Sequence, residues 1–210
     1  MIEVIPAIIA RDFEELQEKV KKVEPYVEWV QLDIMDGQFV DNSTWNNPAE
    51  LKNLETQVKL EVHLMIANPE EHIDEWIESG IQRIIFHFES TQQPQEVIAK
   101  IKKAGLMVGL AINPETPIEK VNDFIDQLDL VLVMTVQPGR GGQKLLEETL
   151  DKIKQLRDKY EDVNIMVDGG INLEIAPKVI QAGANLLVSG SAIFKSDDIE
   201  KNIKELKSCQ

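Results

Sequence analysis

A chain of 210 residues, 43% hydrophobic and 28% charged, is long enough for one domain with a real core. Its formal net charge of −15 argues against nucleic acid and membrane as partners; an anionic ligand would have to be held by local groups against the overall field. One cysteine, Cys209, leaves no internal disulfide and fits a reducing, cytoplasmic setting; no apolar run approaches a membrane span, and MIEVIPAIIARDF lacks the basic start and cleavage site of a signal peptide.

In chain order, a strand is expected over 3–9 (EVIPAII) and an amphipathic helix over 12–23, with Phe13, Leu16, Val20 and Val23 at helical spacing. Strands follow over 27–34 (VEWVQLDI) and 58–65 (VKLEVHLM). A helix over 69–80 opens on Pro69 and stops at Gly80. Further strands are expected over 83–88, 106–112, 130–136, 164–169 and 185–190, with helices over 149–160 and 175–183. Eight strand–helix units without a linker indicate a parallel sheet covered by helices. Eight is also the number that closes a (β/α)8 TIM barrel, here as a single domain over 1–210. The alternative, an open doubly wound sheet, calls for a glycine fingerprint after the first strand, and IPAIIARDF has none.

Chemistry in such barrels sits at the carboxyl ends of the strands. Side chains alternate along a strand. In WVQLDIM, Val30, Leu32 and Ile34 form an apolar face, so Gln31, Asp33 and Met35 point into the barrel. By the same parity Glu61, His63 and Met65 point inward, and Met166 shares a face with Asp168. Asp33, His63 and Asp168 can therefore meet at the rim, with Gln31 beneath. Two aspartates and a histidine suit a divalent metal; they also suit proton transfer on the two sides of a substrate. Taken singly, a strand-end aspartate reads as a helix cap and His63 as a core histidine; their convergence favours chemistry. Met35, Met65 and Met134 near three strand ends read either as core filling or as an apolar pocket floor that keeps water away.

Three glycine-rich segments, VQPGRGGQ (136–143), VDGG (167–170) and VSGSAIF (188–194), follow the last three strands. Glycine lets backbone N–H groups approach an anion, and a short helix starting at Ser191 would aim its positive end there. This is the common phosphate position of barrels.

With LDIMDGQFV, EVHLMIANPE, FHFES, AINPETP, VMTVQPGRGGQK, VDGGIN and AGANLLVSGSAIF in this order, the chain resembles the ribulose-phosphate 3-epimerases nearly end to end. The resemblance implies a metal-dependent barrel interconverting D-ribulose 5-phosphate and D-xylulose 5-phosphate. It implies Asp33 and Asp168 as the acid/base pair, and Asp33, His63 and Asp168 as ligands of a divalent cation (zinc, iron, manganese or magnesium) that holds the substrate's C2 and C3 oxygens. It implies Gly139, Arg140, Gly141, Gly142, Gly169, Gly170, Gly190 and Ser191 as the phosphate cradle, and His63 as a further substrate contact. The expected partners are a small sugar phosphate and other copies of the chain.

Four positions depart from the family. Gln31 stands where the family has a fourth, histidine ligand, Ala7 where it has serine, Gln38 where it has histidine, and Arg140 where it has an aromatic. A glutamine can ligate through its amide oxygen, which is harder than imidazole and shifts preference from zinc toward magnesium or manganese. Alternatively Gln31 hydrogen-bonds Asp33 and the site is metal-poor. The competing functions are an enzyme on another ketose phosphate, such as a hexulose 6-phosphate, and a phosphosugar-binding protein without catalysis. Decarboxylase and aldolase relatives carry an Asp-x-Lys-x-x-Asp cluster, and LDIMDG has no lysine.

Overall fold

Short runs of aliphatic and β-branched residues, apolar on both faces, become the strands of a computed structural model that describes residues 2–209. The expected domain, 1–210, extends one residue past these at each end, and those two lie outside the described residues. The strands are β1 (Glu3–Ile8), β2 (Trp29–Met35), β3 (Lys59–Met65), β4 (Arg83–His87), β5 (Met107–Ile112), β6 (Leu130–Met134), β7 (Ile165–Asp168) and β8 (Leu186–Ser189). They pair in parallel in chain order, and β8 returns to β1, so the sheet closes into the expected (β/α)8 barrel. The open-sheet alternative is excluded by that closure.

Closure divides the apolar residues into two cores. Val30, Leu32 and Ile34 face outward and pack with Leu16, Val20 and Val23 of α1 (Phe13–Val23). Each such side chain contributes about 1.5–3 kcal/mol by leaving water. Ile5, Ile85, Leu130, Leu132, Met166 and Leu186 fill the barrel interior. Space there is tight. A Cβ on Gly109 would come within 2.7 Å of Leu130 Cδ1 and 2.9 Å of Ile85 Cγ1, so a larger residue there would force these side chains to shift.

The helical layer is less regular than the repeat suggests. α3 (Pro94–Lys103), α4 (Glu148–Lys159), α5 (Ala176–Ala182) and α7 (Ile199–Lys207) are regular helices, with α6 (Ser191–Phe194) a single turn after β8. Asp12 caps α1 by accepting from the Glu15 amide at 2.9 Å. The expected helix over 69–80 divides into a 3-10 turn, Pro69–Glu71, and the short α2 (Ile73–Ile77), because Asn68 enters it from a left-handed conformation (φ 49°). After β2 the connection is a 3-10 turn, Pro48–Asn53, and after β5 it is two, Ile118–Val121 and Ile125–Gln127. Two of these turns, Pro48–Asn53 and Ile118–Val121, still bury apolar side chains, Leu51 and Val121 among them, so they cover the sheet without a full helix. No helix among the described residues is long and apolar enough to cross a membrane.

The amino end of the barrel is plugged by a buried ion pair. Glu61 on β3 lies opposite Arg83 on β4 and accepts from its Nε at 2.5 Å, while the guanidinium lies 4.1 Å from the Trp29 ring centre. Burial pushes the Glu61 carboxyl up to about 7, although the Arg83 charge and hydrogen bond pull it down. Arg83→Met should cost about 3–5 kcal/mol at pH 8 by leaving Glu61 without its cation. The loss should be smaller at pH 5. Glu61 holds a proton in the folded state that the unfolded chain, with its usual value of 4.5, releases. Its contribution is therefore best below the unfolded value and is lost as pH rises through the folded one. Urea unfolding at both pH values tests this; equal losses would contradict it.

Candidate active site

Parity and register bring three donors together at the carboxyl rim. Asp33 lies directly opposite His63 in the β2–β3 pairing, and β7 ends on Asp168 across the barrel. Asp33, His63 and Asp168 each offer one ligand atom, all within 4.8 Å of one another. His63 Nδ1 lies 3.4 Å from Asp33 Oδ1 and 3.4 Å from Asp168 Oδ2. Gln31, two residues before Asp33 and on the same face, reaches the same point. Its Nε2 donates to Asp33 Oδ1 and to Asp168 Oδ2, each at 2.8 Å, and stands 3.4 Å from His63 Nδ1. The amide nitrogen thus occupies the focus of the three donors, where its N–H groups partly satisfy two carboxylates in a buried site. Gln31 Oε1 is buried and makes no hydrogen bond among the described residues.

Burial raises the Asp33 carboxyl above the usual range and the Asp168 charge adds to this, against hydrogen bonds from His63 and Gln31. Burial lowers His63, but the hydrogen bonds and charges of Asp168 and Asp33 outweigh it and raise the ring to about 9. These are the displaced acids and bases that mark proton-transfer sites. Asp36, the other acid of LDIMDG, does a different task. Burial would raise its carboxyl, but it accepts from the amides of Ala67, Gln38 and Phe39, which hold it low, and it fixes the loop after β2.

A cavity of about 460 Å³ opens over this cluster, a size that suits a small metabolite. Asp33 and Asp168 line it, with Met35, Met65 and Met134, whose side chains are nearly inaccessible. Gly139, Arg140, Gly141, Gly142, Gly169, Gly170, Gly190 and Ser191 line it too, so the residues of the expected cradle border the same cavity as the two acids. Gly170 (φ +71°) is needed there: a Cβ would come within 2.8 Å of the Leu145 backbone nitrogen. Ala7 lines the cavity as well, and Gln38 sits on the exposed loop after Asp36. His63 and Gln31 do not line it. Both nitrogens of the buried His63 ring have close neighbours, Nδ1 the two carboxylates at 3.4 Å and Nε2 the His87 ring at 2.9 Å.

Sequence reasoning assigned no role to His87, Glu89, Lys19 and Lys195. The inward parity of Arg83, Ile85 and His87 on β4 was the available signal for His87. Lys195 directly follows α6, one helical turn beyond Ser191, and lines the cavity with Lys19. Its Nζ and the Ser191 hydroxyl both lie 3.9 Å from the space a Gly142 Cβ would fill. Lys195, Arg140 and Lys19 bring positive charge to this cavity in a chain whose total is −15, Lys19 already paired with Glu15 at 2.9 Å.

The family described as "Ribulose-phosphate 3 epimerase family" matches residues 3–194. Ribulose-phosphate 3-epimerase from Bacillus subtilis (strain 168) is 40% identical, over 99% of this chain and 99% of that protein. The Schizosaccharomyces pombe enzyme of the same name is 37% identical over 98% of this chain and 92% of its own length. Arabidopsis thaliana ribulose-5-phosphate-3-epimerase, chloroplastic, is 40% identical over 98% of this chain and 76% of that protein. Among solved structures, a 3-hexulose-6-phosphate synthase superposes with a TM-score of 0.73 at 17% identity, covering 99% of each chain. A mutant tryptophan synthase alpha-subunit from Pyrococcus furiosus gives 0.77 at 15% identity and 97% of each chain. These structural likenesses carry the barrel fold and no more.

Lys195→Ala should weaken inorganic phosphate binding about two- to five-fold at low salt, the range of an exposed charge pair, and Arg140→Phe by a similar factor. Both effects should shrink as ionic strength rises. Calorimetry at two salt concentrations measures this, and losses independent of salt would place the two cations away from the anion.

Proposed function

From the premise that this chain belongs to the ribulose-phosphate 3-epimerase family, and is an isomerase of the epimerase kind, we propose that it interconverts D-ribulose 5-phosphate and D-xylulose 5-phosphate through Asp33 and Asp168. One observation carries the reading. Two carboxyl groups from separate strands, β2 and β7, held by one amide, line the same cavity as a glycine-rich, cationic cradle. The phosphate is held by backbone amides of Gly142, Gly170 and Gly190 with Ser191, and this fixes C3 of the sugar between the two acids. One carboxylate takes the C3 proton, leaving a cis-enediolate. The other, already protonated, returns a proton to the opposite face, which inverts C3 and leaves the two acids with exchanged protonation. Burial and the charge of Asp168 keep a proton on Asp33 at higher pH than a solvated aspartate would, which suits one acid and one base at neutral pH. Met35, Met65 and Met134 exclude water from the enediolate.

The donor set fits a divalent cation. Asp33 Oδ1, His63 Nδ1 and Asp168 Oδ2 converge on one point, and a half-turn of the Gln31 amide would exchange its nitrogen there for the otherwise unpartnered Oε1. Three oxygens and one nitrogen form a harder set than the family's usual one, and this supports magnesium or manganese over zinc or iron. A cation so held supplies Lewis-acid stabilisation of charge developing on the substrate oxygens. The single cysteine, Cys209, supports a reducing, cytoplasmic setting.

Turnover of D-ribulose 5-phosphate in a coupled assay tests the proposal. Failure on it with turnover of a hexulose 6-phosphate would favour the second substrate class, and binding without turnover of either would favour a non-catalytic protein. Asp33→Asn and Asp168→Asn should each lower kcat by about 10²–10⁴-fold, the usual worth of one acid or base, with the barrel still folded. Solvent deuterium should enter C3 of the product; near-normal turnover in either variant would sink the two-acid mechanism.

Gln31→His should tighten zinc binding, because an imidazole nitrogen replaces an amide that must first give up two hydrogen bonds to carboxylates. Competition with a chelator, wild type beside variant, measures the difference, and equal affinities would remove Gln31 from the ligand set.

A further inference from the structure

Two titratable groups, the buried His87 and the half-buried Glu89, have no part in the chemistry described above. His63 Nε2 lies 2.9 Å from His87 Nε2, and the rings stack at 19° with centres 5.0 Å apart. Only one of two imidazole nitrogens in such contact can carry the hydrogen. On the far side of its ring, His87 Nδ1 faces Glu89 Oε2 at 3.4 Å. Both atoms are buried and neither makes a hydrogen bond among the described residues, so each is the polar neighbour left to the other. The Asn113 side chain, whose buried Oδ1 is also without a partner, is the other neighbour of His87.

The other Glu89 oxygen decides the direction of the chain. Oε1 accepts from the Asn113 backbone nitrogen at 2.9 Å and from Thr116 Oγ1. Burial would raise Glu89, but the hydrogen bonds from His87, Thr116 and Asn113 bring it below the usual range, so it is a carboxylate at neutral pH. A carboxylate only accepts, so the hydrogen of His87 belongs on Nδ1. A neutral ring with hydrogen on Nδ1 presents a lone pair at Nε2. His63 must then donate from its own Nε2.

We propose that Glu89 and His87 are positioning residues that lock His63 with its hydrogen on Nε2. Nδ1, 3.4 Å from both Asp33 and Asp168, is then the one ring position that can give up a proton and face a cation with a lone pair. This rests on the reading of His63 as a cation ligand, and it follows the pattern in which the second nitrogen of a ligating histidine is fixed by an outer partner. Here that partner is a second histidine, itself oriented by a carboxylate.

The chain has three histidines, so nitrogen-15 NMR of histidine-labelled, metal-free protein gives a spectrum simple enough to assign, with His72→Gln removing the exposed third ring. Wild type should show hydrogen on Nδ1 and a pyridine-like Nε2 for His87, and hydrogen on Nε2 for His63. Zinc should shift His63 Nδ1 while the His87 tautomer stays. In Glu89→Gln/Asn113→Ala, the new amide oxygen stays with Thr116 and the backbone N–H of position 113. Its NH2 then faces His87 Nδ1. His87 should then hold its hydrogen on Nε2, His63 should hold one on Nδ1 and none on Nε2, and chelator competition should show zinc bound about 10–100-fold more weakly, the usual effect of losing an outer partner. Hydrogen on His87 Nε2 in wild type, or unchanged tautomers in the folded double variant, would overturn the proposal. The wild-type spectrum decides alone if the double variant does not fold. Correct tautomers with no zinc-induced shift at His63 would uphold the relay and reject His63 as a ligand.

Discussion

Closure of the parallel sheet is the constraint on which everything else depends. Once β8 pairs with β1, each strand has only two faces, one toward the helices and one toward a narrow interior. A one-residue slip would send Leu32 and Ile34 inward and Gln31 and Asp33 into the apolar helical layer. The outer core therefore fixes the register, and the register fixes the site: Ala7 opposite Gln31, Asp33 opposite His63, Met134 opposite Asp168. The polar groups inside the barrel are held by hydrophobic packing outside it.

Inside, two polar layers answer the same physical demand in different ways. At the amino end Glu61 is met by a full charge, Arg83, beneath Trp29. At the carboxyl end, among the described residues, no lysine or arginine reaches Asp33 and Asp168; they meet a carboxamide and an imidazole. The first sets one buried carboxyl against one guanidinium, with Glu61 Oε1 left without a hydrogen bond. The second leaves two carboxylates sharing an amide and an imidazole beside a cavity, the arrangement of displaced acids and bases that a catalytic site needs. Lys195, Arg140 and Lys19 line that cavity together with the two acids, so positive charge reaches it within a strongly acidic chain.

Much of this was legible beforehand. Alternation in WVQLDIM and LEVHLM determined which residues enter the barrel, because the period of a strand is two whatever the rest of the chain does. Eight apolar runs determined the fold class, and the three glycine segments marked residues that come to line one cavity. Tertiary structure alone decided the rest. The amide of Gln31 lies between Asp33 and Asp168, groups 137 residues apart from Gln31 at the farther end, and no local pattern encodes such a distance. The contact of His63 with His87 depends on how closely β3 and β4 approach at the rim, and the direction of its hydrogen depends on Thr116 and Asn113, which reach Glu89 from the loop after β5. Two connections shortened to 3-10 turns for a related reason: whether an apolar stretch needs a full helix depends on the area of sheet it must cover. Parity and composition are local and can be read along the chain. Which polar atom satisfies which is settled only when closure removes water and leaves each buried donor the neighbours it has.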